Sequence, residues 1–281
     1  MTTTLLFIHA ISPLHAGTGQ SVGAIDLAIA RERATGIPYL PGSSLKGALR
    51  DRFEHAHPQD VRALFGPPTA EASEGAGSVF FGDARLVLLP VRSLAGTFGL
   101  VTSPYLLSRL SRDLVEAGAK PLPAVSPLEG RCAVTSTSAL ELTDGRVVFE
   151  DLDFAADATA ANDVADRLKT LLTDIDVAKR LCVVADDVMS FLLEQNLEVN
   201  ARIRLDDDTK TVANGALWYE EALPAESVLV SMILAQPTKA STLTPAAVIA
   251  KLTPGLTHLL QLGGKATVGR GLCRLWLGGG A

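Results

Sequence analysis

Aromatic residues make up 5% of this 281-residue chain, cysteines number three, and no acidic residue follows Glu226. Each scarcity excludes something. So few aromatic rings argue against a side-chain platform on which nucleotide bases stack. Cys132, Cys182 and Cys273 lie far apart, and no Cys-x-x-Cys pair occurs, which leaves neither a disulfide framework nor a structural zinc site. A reducing, cytoplasmic setting is the expectation. No apolar run approaches the ~20 residues that span a bilayer, so no membrane association is expected. The opening stretch MTTTLLFIHAIS carries no basic region and no small-residue cleavage site, so it does not read as a signal peptide. Signatures of hydrolases such as His-Glu-x-x-His and Gly-x-Ser-x-Gly are also missing.

What is present points elsewhere. The chain is 47% hydrophobic and 20% charged, enough for a sizeable core. Its net charge of −6 is unevenly spread. Residues 1–140 are near neutral, residues 141–226 hold 20 acidic against 8 basic side chains, and residues 227–281 hold five basic ones. The two ends can therefore share a neutral-to-basic surface while the acidic middle is solvated or faces another partner.

Residues 3–11 read as a buried strand, followed by a glycine-rich loop over 15–26. A helix is expected from Ser43 to about His55, with Ser43 or Ser44 as its N-cap. Further helices are expected over 102–118 and 162–175, and a strand running into a helix over 180–196. Residues 199–221 alternate on both sides of a polar Asp-Asp-Asp-Thr-Lys tip, the pattern of a hairpin. A strand over 227–236, a short helix over 244–252, a helix or apolar segment from 255, a glycine loop and a last strand complete the chain. Strands and helices mix without a strict β-α-β period or a linker, so one α+β domain spanning 1–281 is expected.

Two stretches have the chemistry of anion binding. PGSSLKGALR (41–50) joins a helix start to the hydroxyls of Ser43 and Ser44 and to Lys46 and Arg50, four residues apart. GGKATVGRG (263–271) surrounds Lys265 and Arg270 with Gly263, Gly264, Gly269 and Gly271. Neither fits a nucleotide-triphosphate or dinucleotide fingerprint. A capped helix and an ordinary glycine turn are the plain alternatives. Together the stretches suit a polyphosphate backbone such as RNA. His15 and Asp26, both in the loop after the first strand, form a candidate acid–base pair.

The stretches at 9–53, 90–110 and 259–272, in this order, resemble the repeated backbone subunit of type III-B (Cmr) CRISPR effector complexes, a member of the RAMP superfamily. The resemblance implies a modified RRM-like (ferredoxin-like) core with large insertions, including a thumb-like hairpin. It implies copies stacked head to tail along a guide RNA, beside other Cmr subunits, and metal-assisted cutting of target RNA at regular intervals. On that resemblance Asp26 is the catalytic aspartate and ligand of a divalent metal, Mg²⁺ or Mn²⁺, and His15 accompanies it. Ser43, Ser44, Lys46, Arg50, Gly263, Gly264, Lys265 and Arg270 fall on guide-RNA-binding positions. Two alternatives stay open. One is a guide-processing endonuclease of the same superfamily with His15 as a metal-free base. The other is a non-catalytic scaffold in which Asp26 only caps a turn.

Overall fold

The computed structural model describes residues 1–19, 23, 25–206, 208–239 and 241–279. The glycine-rich loop is therefore described except at residues 20–22 and 24, and the hairpin tip except at residue 207. Fourteen strands occur, numbered in chain order among the described residues: β1 (Thr2–Ala10), β2 (Tyr39–Leu40), β3 (Val79–Phe81), β4 (Ala84–Arg92), β5 (Phe98–Thr102), β6 (Arg131–Val134), β7 (Arg146–Phe149), β8 (Leu152–Ala158), β9 (Leu181–Val183), β10 (Glu198–Leu205), β11 (Val212–Ala222), β12 (Val228–Ala235), β13 (Leu260–Gln261) and β14 (Leu272–Gly278). Seven α-helices join them: α1 (Gly42–Ala56), α2 (Pro58–Phe65), α3 (Pro104–Glu116), α4 (Asn162–Leu171), α5 (Val177–Arg180), α6 (Asp186–Gln195) and α7 (Pro245–Leu252).

Twelve strands form one mixed sheet in the order β13-β14-β1-β12-β4-β5-β9-β6-β8-β7, with β2 beside β4 and β3 beside β12. The architecture is α+β. β1 lies near the middle of the N- and C-terminal half of this sheet, antiparallel to both β12 and β14. Its unbroken apolar run has a direct cause. Leu5 and Phe7 point to one face and pack with Leu107, Leu110 and Leu114 of α3 and Leu168 of α4. Leu6 and Ile8 point to the other, against Leu45, Leu49 and Phe53 of α1 and Leu252 of α7. A strand covered on both faces needs apolar residues at every position rather than at alternate ones. Each such side chain contributes roughly 1.5–3 kcal/mol on burial.

β10 and β11 form a separate two-stranded antiparallel hairpin outside the main sheet. The cross-strand neighbours Ile203 and Leu217, and Leu205 and Val212, leave about half of each side chain in solvent, as does Val199. This face of the hairpin is apolar without a core behind it.

Several expectations change at this level. α1 begins at Gly42, and neither Ser43 nor Ser44 caps it. Pro41 occupies the cap position, and the Gly42 N–H donates to Asp83 Oδ1 at 2.8 Å, so a carboxylate from a distant turn already sits at the helix start. Of the two readings from residue 255, helix or apolar segment, the second holds: a 3₁₀ turn over Thr253–Leu256 is followed by the two-residue β13. The short strands β6, β7 and β8 fall in stretches where the sequence shows no clear strand period. All three cysteines are free and buried. Burial pushes the Cys273 thiol up to about 12 and that of Cys182 well above its ordinary value. Among the described residues, no helix is long and apolar enough to cross a membrane.

Candidate active site and RNA cleft

Past the glycine-rich loop the chain touches β11 at Leu27 and then turns to pair with residues 16–18. The Leu27 N–H donates to the Tyr219 carbonyl at 3.0 Å, and the Glu221 N–H donates to the Leu27 carbonyl at 3.0 Å. Asp26 is exposed beside this short parallel pairing. Its Oδ2 accepts the Tyr219 N–H at 2.8 Å. Its other oxygen has no partner among the described residues. The carboxylate is thus anchored through one oxygen and open through the other.

His15 attaches to the same edge of β11. Its Nδ1–H donates to the Glu221 carbonyl at 2.6 Å, which commits that nitrogen to the hairpin root. The anchor points of Asp26 and His15, Tyr219 and Glu221, are two residues apart, or about 7 Å along the strand. No hydrogen bond joins the two side chains. His15 also accepts the Gly264 N–H through its backbone oxygen at 2.8 Å. It is a buried strut between the hairpin root and the C-terminal glycine loop.

That strut forms one wall of a cleft of about 390 Å³, also lined by Gly17, Ser44, Ala48, Gly263 and Gly264. The two anion-suited stretches, more than two hundred residues apart in sequence, meet here. Glycine is required at two of these positions. A Cβ on Gly17 would stand 2.6 Å from His15 Nε2. Gly263 has φ of +73°, and a Cβ there would run into the His15 carbonyl oxygen. The cleft is therefore walled by backbone amides, a hydroxyl and an imidazole.

The basic residues do not line it. Two residues turn a helix by about 200°, so Lys46 and Arg50 lie on the far flank of α1 from Ser44 and Ala48. Arg50 binds Glu54 at 2.9 Å and the carbonyls of Gly66 and Pro67 at 3.2 Å. Lys46 is half-buried and has no ion-pair partner among the described residues. Between the flanks, Ser43, Ser44 and Gly47 are exposed, and nothing stands within 4 Å of a Cβ built on Gly47. Lys265 pairs with Glu220 at 3.0 Å, and Arg270, 9% exposed at its side chain, pairs with Glu198 at 3.0 Å. Both carboxylates belong to the hairpin.

Sequence reasoning passed over Glu220 and Glu221, which organise this region. Glu221 Oε2 accepts the Ile29 N–H at 3.0 Å, and Oε1 binds Arg31 Nη2 at 2.6 Å. Glu220 accepts Trp218 Nε1–H at 2.8 Å in addition to its bond with Lys265, and Arg202 Nε approaches at 3.4 Å. Burial raises the Glu220 carboxyl, but the hydrogen bonds from Trp218 and Lys265 outweigh it and leave the group below the usual glutamate range. Two adjacent carboxylates at the end of an otherwise apolar strand were the available signal, since burying them demands partners. No cluster of three or more metal-suited side chains occurs among the described residues.

The sequence pattern of the RAMP superfamily matches residues 7–274. The chain belongs to the RAMP superfamily. This RAMP protein is 33% identical to the CRISPR system Cmr endoribonuclease Cmr4 of Pyrococcus furiosus, over 99% of the chain and 96% of that relative. It superposes on the crystal structure of oligomeric Cmr4 from Pyrococcus furiosus with a TM-score of 0.76 and 26% identity, covering 99% of this chain and 98% of the other. A chain in the cryo-EM structure of the type III-B Cmr-beta complex bound to cognate target RNA shares the fold, with a TM-score of 0.78 and 24% identity over 99% of this RAMP protein and 97% of that chain.

Proposed function

We propose that this chain is a guide-RNA-binding backbone subunit of a type III-B CRISPR effector complex, in the cytoplasm, and that it cuts complementary target RNA at Asp26. The observation that carries this reading is the state of Asp26: exposed, fixed through Oδ2 to the root of a hairpin, and open through Oδ1. Near-full-length similarity to a Cmr endoribonuclease supports it. The sheet around β1 serves as the RRM-like core, and the β10–β11 hairpin is the thumb. Its uncovered apolar face, with Ile203, Leu205, Leu217 and Tyr219, suits insertion between stacked base pairs. Guide RNA runs over the small exposed residues of α1 and into the cleft, where its backbone passes close to the 263–264 turn, with Lys46 at the flank. Further copies of the chain follow head to tail along the guide, joined by other Cmr subunits.

RNA carries its own nucleophile, the 2′-hydroxyl, so the protein needs to hold the splayed nucleotide in line rather than supply an attacking group. A single carboxylate oxygen fits a divalent cation such as Mg²⁺ or Mn²⁺ only when phosphate oxygens and water complete its shell. When bound there, the cation would stabilise charge developing at the phosphate. Asp26 Oδ1 would hold it or move a proton, and Tyr219 fixes the carboxylate in place. His15, buried and committed through Nδ1, orients the cleft wall.

Assembled complexes carrying Asp26→Asn test this reading. The Asn side-chain oxygen still accepts the Tyr219 N–H, so guide and target binding in a gel-shift assay should persist while target cleavage with Mg²⁺ or Mn²⁺ falls by at least about 100-fold. The Tyr219 bond also favours a second reading, a scaffold in which Asp26 only secures the loop. Cleavage at the wild-type rate by the Asn complex would eliminate catalysis at Asp26 and leave it the loop-securing role of that second reading.

A further inference from the structure

Lys265 stands next to the cleft, yet its ammonium is turned onto the hairpin. Its backbone lies in the left-handed region at φ of 65°, and Nζ sits 3.0 Å from Glu220 Oε1. The side chain of Lys265 is one-third exposed, while that of Glu220 is 6% exposed. A phosphate arriving at Gly264 can therefore reach the lysine but not the glutamate. Glu220 is also one residue from Tyr219, whose N–H holds Asp26, and it lies opposite Leu27 in the short parallel pairing. One buried carboxylate thus joins the cation beside the cleft to the strand that anchors the candidate catalytic group.

We propose that Lys265 is an exchangeable cation, held by Glu220 in the free chain and transferred to a guide phosphate on binding, so that filling the cleft repositions the hairpin root beside Asp26. This rests on the reading of the cleft as the guide site. The exchange has a physical basis. Both partners are anions, and a phosphate offers more acceptor oxygens from the solvent side. After transfer, Glu220 keeps Arg202 and Trp218, both on the hairpin itself, so the hairpin loses its side-chain tie to the 263–271 loop at that point. Arg270–Glu198 and His15 remain as further ties, which limits the change to a local adjustment.

Trp218 reports the exchange, because its indole N–H is bound to the same Glu220 oxygen as Lys265. The chain has only two tryptophans, Trp218 and Trp276. In a Trp276→Phe background, a single-stranded uridine oligonucleotide used as the guide probe should shift Trp218 emission at saturation. Adding Lys265→Ala should weaken binding and abolish the shift even when the RNA concentration is raised to saturate the chain. Independently, Glu220→Gln should tighten binding of the same probe and steepen the slope of log K against log salt by up to about 0.7, the increment for one newly free cation on a single strand. Saturating RNA without a Trp218 shift would overturn the exchange and leave the guide-site reading standing. No RNA binding at all would overturn both. Should Glu220→Gln fail to fold, the emission measurement in the Trp276→Phe chain decides alone.

Discussion

Glu221→Ala should loosen two contacts around the site at once. The change removes a 2.6 Å pair with Arg31 and a 3.0 Å acceptor from the Ile29 N–H. That buried N–H would be left without a partner, at a cost of about 1–3 kcal/mol. Arg31 retains the carbonyls of Gly36 and Leu193, and its side chain is 28% exposed. Its loss therefore resembles that of a partly solvated pair, about 1 kcal/mol, rather than the 3–5 kcal/mol of a fully enclosed one. Together the two effects come to about 2–4 kcal/mol. Glu221→Gln keeps one oxygen for Ile29 and should lose about half as much. Urea unfolding of the isolated chain should rank wild type above Gln and Gln above Ala. Hydrogen exchange adds the location: the Leu27 amide, bound to the Tyr219 carbonyl, should exchange faster in the Ala variant, since Leu27, Ile29 and Arg31 hold this segment to β11 through these contacts. An Ala variant within about 0.5 kcal/mol of wild type, with Leu27 equally protected, would refute the reasoning.

Lys46→Ala should weaken RNA binding with little dependence on base sequence and flatten the salt slope by about 0.7, read by titration at several salt concentrations; a changed base preference would contradict backbone recognition. Gly263→Ala should cost roughly 2–4 kcal/mol, because the residue has φ of +73° and its Cβ meets the His15 carbonyl; thermal unfolding checks it. Hydrogen bonding from Arg109, at 2.8 Å to Oε2, holds the Glu32 carboxyl below its ordinary value of 4.5. The stability it contributes is complete above that ordinary value and drains away as pH falls through the lower folded one. Glu32→Gln should accordingly flatten the pH dependence of the urea midpoint below about pH 4.5 and leave its slope near neutrality unchanged.

The elements that the sequence displays well are those whose signal is local. β1 is a plain apolar run, the β10–β11 hairpin alternates around a polar tip, and α3 has Pro104 at its start and Gly118 beyond its end. β6 and β7, at four residues each, are too short for a period to stand out. At the site, the meeting of the 41–50 stretch with 263–264 was suggested only by shared anion chemistry. The actual partners of Lys265 and of the α1 start, Glu220 and Asp83, are 45 and 41 residues away along the chain. Nothing in either local stretch signals them. Asp26 itself stood out by its place in the loop after the first strand, and its role came only from the resemblance of the surrounding stretch to the RAMP family.

The three buried thiols have a practical consequence. Cys132, Cys182 and Cys273 are enclosed, and Cys182 and Cys273 hold their protons far above neutral pH. Thiol-directed reagents need an accessible thiolate, so the folded chain should be inert to maleimides as it stands. A cysteine placed at Thr209, on the exposed hairpin tip, would then be the single position that a fluorophore or spin label reaches. Distances from that tip to a labelled RNA end could be followed through assembly without first stripping the native cysteines from the core.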